Sequence, residues 1–386
     1  MASNAENRST MKLSVLIVAY NQERFIRQTV ESALMQRTDF DYEIVIGEDC
    51  STDGTRAVLE QLAHEHPGRL RLLLRDRNVG MHANFANALS ACVGEYVATL
   101  EGDDYWTDPQ KLQKQVDFLV AHPECSFSCH AVEWVFDDGS EPPRRFPEGV
   151  KAISAIEDLL QGNNFIQTCS LVFRRCLFPS YPDWFFSLAL GDWPMCCVLA
   201  QYGKIGFVDE VMAIYRIHQG GVWSTTSDVY RFPKVLDMYE ELRKHLKPQY
   251  FPIITLTLAR WYAIFAQRLA IDGDRQRAKT QVARSVGCLL EADAPRNCDV
   301  QHVIEGIMSV TADLTNGTKT LFEVSRDLEV TRRELAAVRA SHWWRLKEKL
   351  VSVPGVGVVA NRFARPVVVE SDASVARQPD VQGEQT

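Results

Sequence analysis

The sequence predicts an α/β protein with a largely parallel sheet, covered by helices on both faces and followed by a helical extension. Three observations carry this. Four short runs rich in Val, Ile, Leu and Tyr, at 13–20, 42–49, 70–76 and 95–102, alternate with segments of helical spacing. Those runs are continuously apolar rather than alternating, which is the pattern of strands buried on both faces. From about 225 to 310 helical patterning takes over.

The elements follow in order. "LSVLIVAY" (13–20) is the first strand; Phe25, Ile26, Val30, Ala33 and Leu34 then recur at helical spacing, with Asn21 placed to cap. "YEIVIGED" (42–49) is the second strand, and Val58, Leu59 and Leu62 mark the next helix. "LRLLLRD" (70–76) and "EYVATLEG" (95–102) continue the alternation. Further on, "CSFSCHAVEWVF" (125–136) and "CSLVFRR" (169–175) read as strands separated by a Pro-rich turn, "DDGSEPPRRFPEG". Leu256, Ala259, Ala263, Ala266 and Ala270 mark a later helix. Leu321, Val324, Leu328, Leu335 and Val338, with Thr331 in the remaining slot, form a short heptad seam. The organisation predicted is a disordered 1–11, an α/β domain over 12–222, a helical region over 223–310, a helical and short coiled-coil segment over 311–352, and a disordered tail over 353–386.

Composition narrows the function classes. The 386 residues are 46% hydrophobic and 24% charged with a formal net charge of −8, a soluble globular balance without the basic excess of a nucleic-acid binder. No apolar run approaches the roughly 20 residues that span a bilayer. The 10 cysteines show no repeated CxxC spacing, so zinc is not indicated and most read as small buried hydrophobes. "MASNAENRST" is polar throughout, and reduced thiols in a cytoplasm are the expectation. "SHWWRLKEKL" (341–350) mixes Trp343, Trp344, Leu346 and Leu350 with Arg345, Lys347 and Lys349. That composition suits either a peripheral helix at the inner face of the cell membrane or an ordinary amphipathic helix.

In open α/β sheets ligands bind beyond the carboxyl ends of the strands. Three polar clusters fall there: Tyr20-Asn21, Glu48-Asp49 and Asp103-Asp104, with Glu101 close by. Adjacent carboxylates repel, and a hard divalent cation such as Mg²⁺ or Mn²⁺ relieves that repulsion while keeping positions open for phosphate oxygens. The bland alternative is a turn with solvated acids.

Six segments, "SVLIVAYNQERFI", "EIVIGEDCSTDGT", "NVGMHANF", "GEYVATLEGDDYW", "GDWPM" and "VMAIYRIHQGG", stand in the order and spacing of the family 2 glycosyltransferases, and the chain resembles that family over about 12–222. The resemblance implies a GT-A fold, the Rossmann-like nucleotide-diphospho-sugar transferase domain, of the bacterial surface-polysaccharide type. It implies that Tyr20 packs on the nucleotide base, that Asp49 reads the uracil edge beside Glu48, that Asp103 faces the ribose and that Asp104 holds the metal. Arg216 and His218 of "YRIH" approach the diphosphate, with His218 a metal ligand, a phosphate contact or a structural hydrogen bonder. Asp192 resembles the general base that takes the acceptor hydroxyl's proton, its alternative being a helix cap; Trp193 beside it could wall the acceptor site. Two departures stand out: Glu48-Asp49-Cys50-Ser51 replaces the usual Asp-Asp-Gly-Ser, and "NVGMHANFANAL" lacks the arginine of many relatives, leaving Asn84 to read the donor.

The function this implies is an inverting, metal-dependent transfer of a sugar from a nucleotide diphosphate, a UDP-sugar by preference, to a glycan or lipid-linked acceptor in surface polysaccharide synthesis. Two other classes compete. A nucleotidyltransferase would need a Gly-rich phosphate loop with a basic residue after the first strand, and "AYNQERF" is not one. A catalytically silent nucleotide-sugar-binding or scaffold protein would use the C-terminal helices, which could also join copies of the chain, but the acidic pair and Asp192 are intact.

Overall fold

The computed structural model describes residues 11–221 and 227–292, together with Val303 and Ile307. The heptad seam, "SHWWRLKEKL", the predicted disordered tail and all but the last residue of the predicted disordered 1–11 lie outside the described residues.

The chain opens with β1 (Leu13–Ala19), α1 (Ile26–Leu34), β2 (Tyr42–Glu48), α2 (Thr55–Glu65), β3 (Leu70–Leu74), α3 (Met81–Ala91) and β4 (Tyr96–Glu101). All four strands are parallel in the order β3-β2-β1-β4. Val15, Ile17, Ile44, Ile46, Ala98 and Leu100 are fully buried between the sheet and Ile26, Val30 and Ala33 of α1. Burying each Val, Ile or Leu contributes about 1.5–3 kcal/mol, so the continuous apolar strands are what hold this half together.

The second half breaks the parallel pattern. It comprises β5 (Tyr105–Trp106), α4 (Lys111–Ala121), β6 (Cys125–Phe136), β7 (Arg144–Phe146), β8 (Ile153–Ser154), α5 (Ile156–Leu160), β9 (Val172–Arg174), α6 (Asp192–Ala200) and β10 (Lys204–Ile217). Strand β9 lies antiparallel between β4 and β6; β10 runs parallel to β6 on its far side. The segment 169–175 is therefore only partly a strand: Thr168–Ser170 form a 3-10 turn before β9. Strand β10 answers to no predicted strand, since Asp209 and Glu210 interrupt its apolar run where its pairing with β6 shifts register.

Helices α7 (Asp228–His245), α8 (Phe251–Ile271) and α9 (Arg275–Glu291) supply the predicted helical region, within the same compact unit as the sheet. Tyr239 of α7 is buried and its hydroxyl donates to the Leu159 carbonyl at 3.3 Å. Nine cysteines among the described residues are free, seven of them buried, and no described helix is long and apolar enough to cross a membrane.

Candidate active site

The loops after β1 and β2 are tied into one rim. The Asn21 amide donates to Ser51 Oγ at 3.0 Å, the Thr52 amide donates to Asn21 Oδ1 at 2.8 Å, and the Gln22 amide donates to Thr55 Oγ1 at 2.7 Å. Asn21 thus does not cap α1, whose cap position is Phe25; with φ 55° it makes a left-handed turn instead. Cys50 is left-handed as well, at φ 56°, which is the backbone geometry that glycine adopts without strain. The departure from Asp-Asp-Gly-Ser is therefore a strained cysteine in a retained turn.

Within that rim the two acids at the end of β2 are both hydrogen-bonded. Glu48 is buried, accepts from the Ser51 amide at 2.6 Å and forms an ion pair with Arg56 at 2.5 Å. Burial pushes its carboxyl up, but the Ser51 and Arg56 hydrogen bonds outweigh that and hold it below the usual range. Asp49, only 3% exposed, accepts from the Val79 amide at 2.8 Å and the Gly80 amide at 2.9 Å. Tyr20, by contrast, is 44% exposed at the mouth. Asn84 faces β2: it is buried, and its amide donates to the Gly47 carbonyl at 2.8 Å.

The end of β4 is the opposite case. Asp104 is 1% exposed; its Oδ1 accepts from the Arg216 amide at 2.8 Å, while Oδ2 is buried without a hydrogen-bond partner. Glu101 likewise leaves Oε2 buried and unpaired. Burial first, then the charge of Asp103, raises the carboxyl of Glu101 to about 8 and that of Asp104 well above the ordinary value. Gly102 between them touches Gln22 so closely that a β-carbon would collide with its side-chain oxygen. Thr29 of α1 anchors the turn, its hydroxyl lying 2.9 Å from the Gly102 carbonyl and 2.7 Å from that of Asp104.

Strand β10 brings the remaining groups. The Arg216 guanidinium donates to the Asp103 carbonyl and to Gln28, and stacks over Tyr105 and Phe25 at 4.5 and 4.9 Å from the ring centroids. The Gly220 amide donates to His218 Nδ1 at 3.2 Å, so Nε2 carries the proton and donates to Asp103 Oδ2 at 3.0 Å. Both ring nitrogens are engaged, and in this arrangement His218 orients Asp103 instead of presenting a free nitrogen to a metal.

Asp192 closes the site. It is the first residue of α6, the cap position being Gly191, so the capping alternative is not what the helix uses. Thr168 Oγ1 donates to Asp192 Oδ2 at 3.3 Å. Burial raises its carboxyl above the usual range, while the Trp193 amide and Thr168 pull it back. Asp192 and Glu101 are near enough for the charge of one to raise the other. Trp193 is buried edge-on against Tyr239 at 5.7 Å. Sequence reasoning missed Thr168, which only the 3-10 turn before β9 delivers, and His82 and Tyr181, which meet beside Gly191.

Among the described residues no three His, Cys, Asp or Glu side chains form a ready metal cluster. Asp104 Oδ2, buried without a partner among the described residues, and the adjacent Asp103 carboxylate are nonetheless oxygen donors of the kind that suits a hard divalent cation. An orphaned carboxylate among like charges is costly until a cation joins it.

Residues 14–178 match the family model described as Glycosyl transferase family 2. An uncharacterised protein of Mycobacterium tuberculosis strain H37Rv is 41% identical over 211 residues, 55% of this chain and 60% of that protein. An uncharacterised glycosyltransferase of Nostoc is 32% identical over 223 residues, 54% of this chain and 65% of its own length. The putative teichuronic acid biosynthesis glycosyltransferase TuaG of Bacillus subtilis is 33% identical over 153 residues, 39% of this chain and 59% of the relative. The chain thus spans less than two thirds of each of these relatives. In fold it is similar to residues 1–349 of TarS from S. aureus, crystallised with UDP-GlcNAc, at TM-score 0.57 and 16% identity over 84% of this chain and 92% of that one.

Proposed function

We propose that this chain, whose residues 14–178 match the model of glycosyl transferase family 2, transfers a sugar from a UDP-sugar to a glycan or lipid-linked acceptor with inversion, in bacterial surface polysaccharide synthesis. The observation that carries this reading is the crowded acidic cluster at the end of β4, where Asp104 Oδ2 and Glu101 Oε2 are buried without a partner among the described residues and the charge of Asp192 reaches Glu101. A satisfied structural turn would have no reason to leave two buried carboxylate oxygens without partners.

In this reading the exposed ring of Tyr20 packs on the uracil. Asp49, fixed by two backbone amides, keeps a lone pair on each oxygen for the imide N–H of the base. Asp103 and Asp104 are the residues that would hold Mn²⁺ or Mg²⁺, which would supply Lewis-acid stabilisation of the departing phosphate charge. His218 orients Asp103, and Arg216 adds positive charge on the same side. The Thr168 hydroxyl aims Asp192, which takes the proton of the acceptor hydroxyl as that oxygen attacks the anomeric carbon opposite the diphosphate. Burial keeps the carboxyl of Asp192 more basic than a solvated one, and this makes it a better base near neutral pH. The TuaG similarity supports the polysaccharide setting, and the UDP-GlcNAc bound to TarS supports the donor class.

Asp192→Asn tests the proposal, because the amide keeps shape and cannot take a proton. A screen of UDP-sugars by thermal shift with Mn²⁺ first identifies the donor. With donor and acceptor in hand, kcat of Asp192→Asn should fall on the order of 100- to 10,000-fold while donor Kd stays within a few-fold. A near-normal kcat rejects Asp192 as the base.

A further inference from the structure

The segment before Asp192 has little regular structure of its own. Asp183–Ser187 form a 3-10 turn, and residues 188–191 lead straight into α6. A base carried on such a segment needs something outside it to fix its place, because a displacement of about 1 Å can cost 100-fold in rate. The first turn of α3 supplies a candidate. His82 Nε2 lies 2.8 Å from the Leu188 carbonyl, and Nδ1 lies 2.6 Å from the Tyr181 hydroxyl.

These partners settle the proton positions. A carbonyl only accepts, so Nε2 carries the hydrogen; Nδ1 then accepts, and the Tyr181 hydroxyl is the donor. Burial lowers the basicity of His82 and favours this neutral form, although the nearby charge of Asp192 works against it. The imidazole thus grips the segment at two points, seven residues apart, on either side of the 3-10 turn. Gly191 completes the contact: a β-carbon there would stand 2.8 Å from the Tyr181 hydroxyl and 3.4 Å from His82 Cε1. The base is therefore one residue from a backbone that rests on the gripped pair. Tyr181 is itself wedged among Phe178, Phe185 and Phe186, with centroid separations of 6.0, 4.8 and 5.7 Å.

We propose that His82 and Tyr181 are positioning residues, a latch that holds the 181–191 segment on α3 and so sets the place of the Asp192 carboxylate against the acceptor hydroxyl. Neither residue touches the reacting atoms. The same turn of α3 is preceded by Val79 and the cap residue Gly80, whose amides hold Asp49, so donor-side and acceptor-side acids hang from one short stretch of chain. The inference rests on the reading of Asp192 as the base.

Tyr181→Phe is the informative variant, since it removes only the hydroxyl and leaves the ring packed among its aromatic neighbours. Two measurements are paired. By hydrogen exchange on the full chain, peptides covering 182–195 should exchange faster in Tyr181→Phe, and at the parental rate in His82→Gln, whose amide keeps one donor and one acceptor. By steady-state kinetics, Tyr181→Phe should lower kcat about tenfold with donor Kd within twofold. In the Asp192→Asn background the same change should have no further effect, because a mispositioned base and an absent one are equivalent. Parental exchange in Tyr181→Phe overturns the latch. Faster exchange with unchanged kcat, or a tenfold loss that persists in the Asp192→Asn background, overturns its role in positioning the base. A near-normal kcat in Asp192→Asn alone is a different failure, that of the base reading.

Discussion

The carboxyl ends of β2 and β4 carry similar chemistry in opposite electrostatic states. At β2, Glu48 is buried yet paired with Arg56 and the Ser51 amide, and Asp49 holds two backbone amides. At β4, Glu101 and Asp104 are crowded by Asp103, and each leaves an oxygen buried without a partner. At β2 the acids are fixed by their partners in the rim, Asp49 keeping lone pairs for the nucleotide base; at β4 two oxygens are left for a ligand that brings positive charge. The difference is invisible in composition, since both ends read as two or three acids after an apolar strand.

The largest effect expected from this contrast is at Asp104. Asp104→Asn removes a charged ligand, so the thermal shift given by UDP with Mn²⁺ should disappear and nucleotide affinity should fall roughly 100-fold, on the scale of lost metal-site interactions. The ligand-free protein should melt no lower than the parent, because a buried uncompensated charge has gone. A variant that still binds UDP in a Mn²⁺-dependent way would break the comparison, and so would one that simply unfolds.

Glu48→Gln should do the reverse. It leaves Arg56 without its carboxylate and should cost about 2 kcal/mol of stability, read from a denaturant midpoint. The Mn²⁺-dependent thermal shift should persist, since Glu48 meets the ligand only through the rim it supports. Loss of ligand response at unchanged stability would place Glu48 in the site and erase the distinction.

The smallest effect is in the pH profile of ligand-free protein, where the two acids should leave opposite signatures. The folded-state pKa of Glu48 is depressed, so its stabilisation is present above the unfolded value near 4.5 and is lost as pH falls through the folded value. That of Glu101 is raised to about 8, so stability is greatest below about 4.5 and declines as pH rises towards 8. Glu101→Gln should flatten the decline between those limits in melting curves taken with chelator. An unchanged slope would mean that the carboxyl is neutralised by other means.

Much of the first half was legible in the chain. The four parallel strands fall within one or two residues of the apolar runs at 13–20, 42–49, 70–76 and 95–102, and β6 coincides with "CSFSCHAVEWVF". Local pattern suffices there because β1, β2 and β4 are largely buried on both faces and flanked by helices that bury one stripe, with β3 as the half-exposed edge. The second half resisted for identifiable reasons. Asp209 and Glu210 hid β10. Antiparallel β9 depends on which neighbours compete for its edges, a contest between distant segments. Asn21 had the composition of a cap and became a left-handed turn bonded to Thr52, and Trp193 went to the core against Tyr239.

By itself the sequence determined that Tyr20, Asp49, Asp103 and Asp104 would gather on one edge, because parallel strands joined by helices must end on the same side. It also determined the types of side chain offered there. Only the tertiary structure decided which acids would be paired, because Arg56, the Ser51 amide and the Val79 and Gly80 amides reach the β2 end, whereas among the described residues Asp104 Oδ2 and Glu101 Oε2 are buried without a hydrogen-bond partner. It likewise decided that His218 would serve Asp103 and that His82 would grip the chain beside Asp192. A hydrogen bond between residues about 100 apart in sequence is set by packing geometry that no local pattern encodes, and a carboxylate's charge state follows from that geometry.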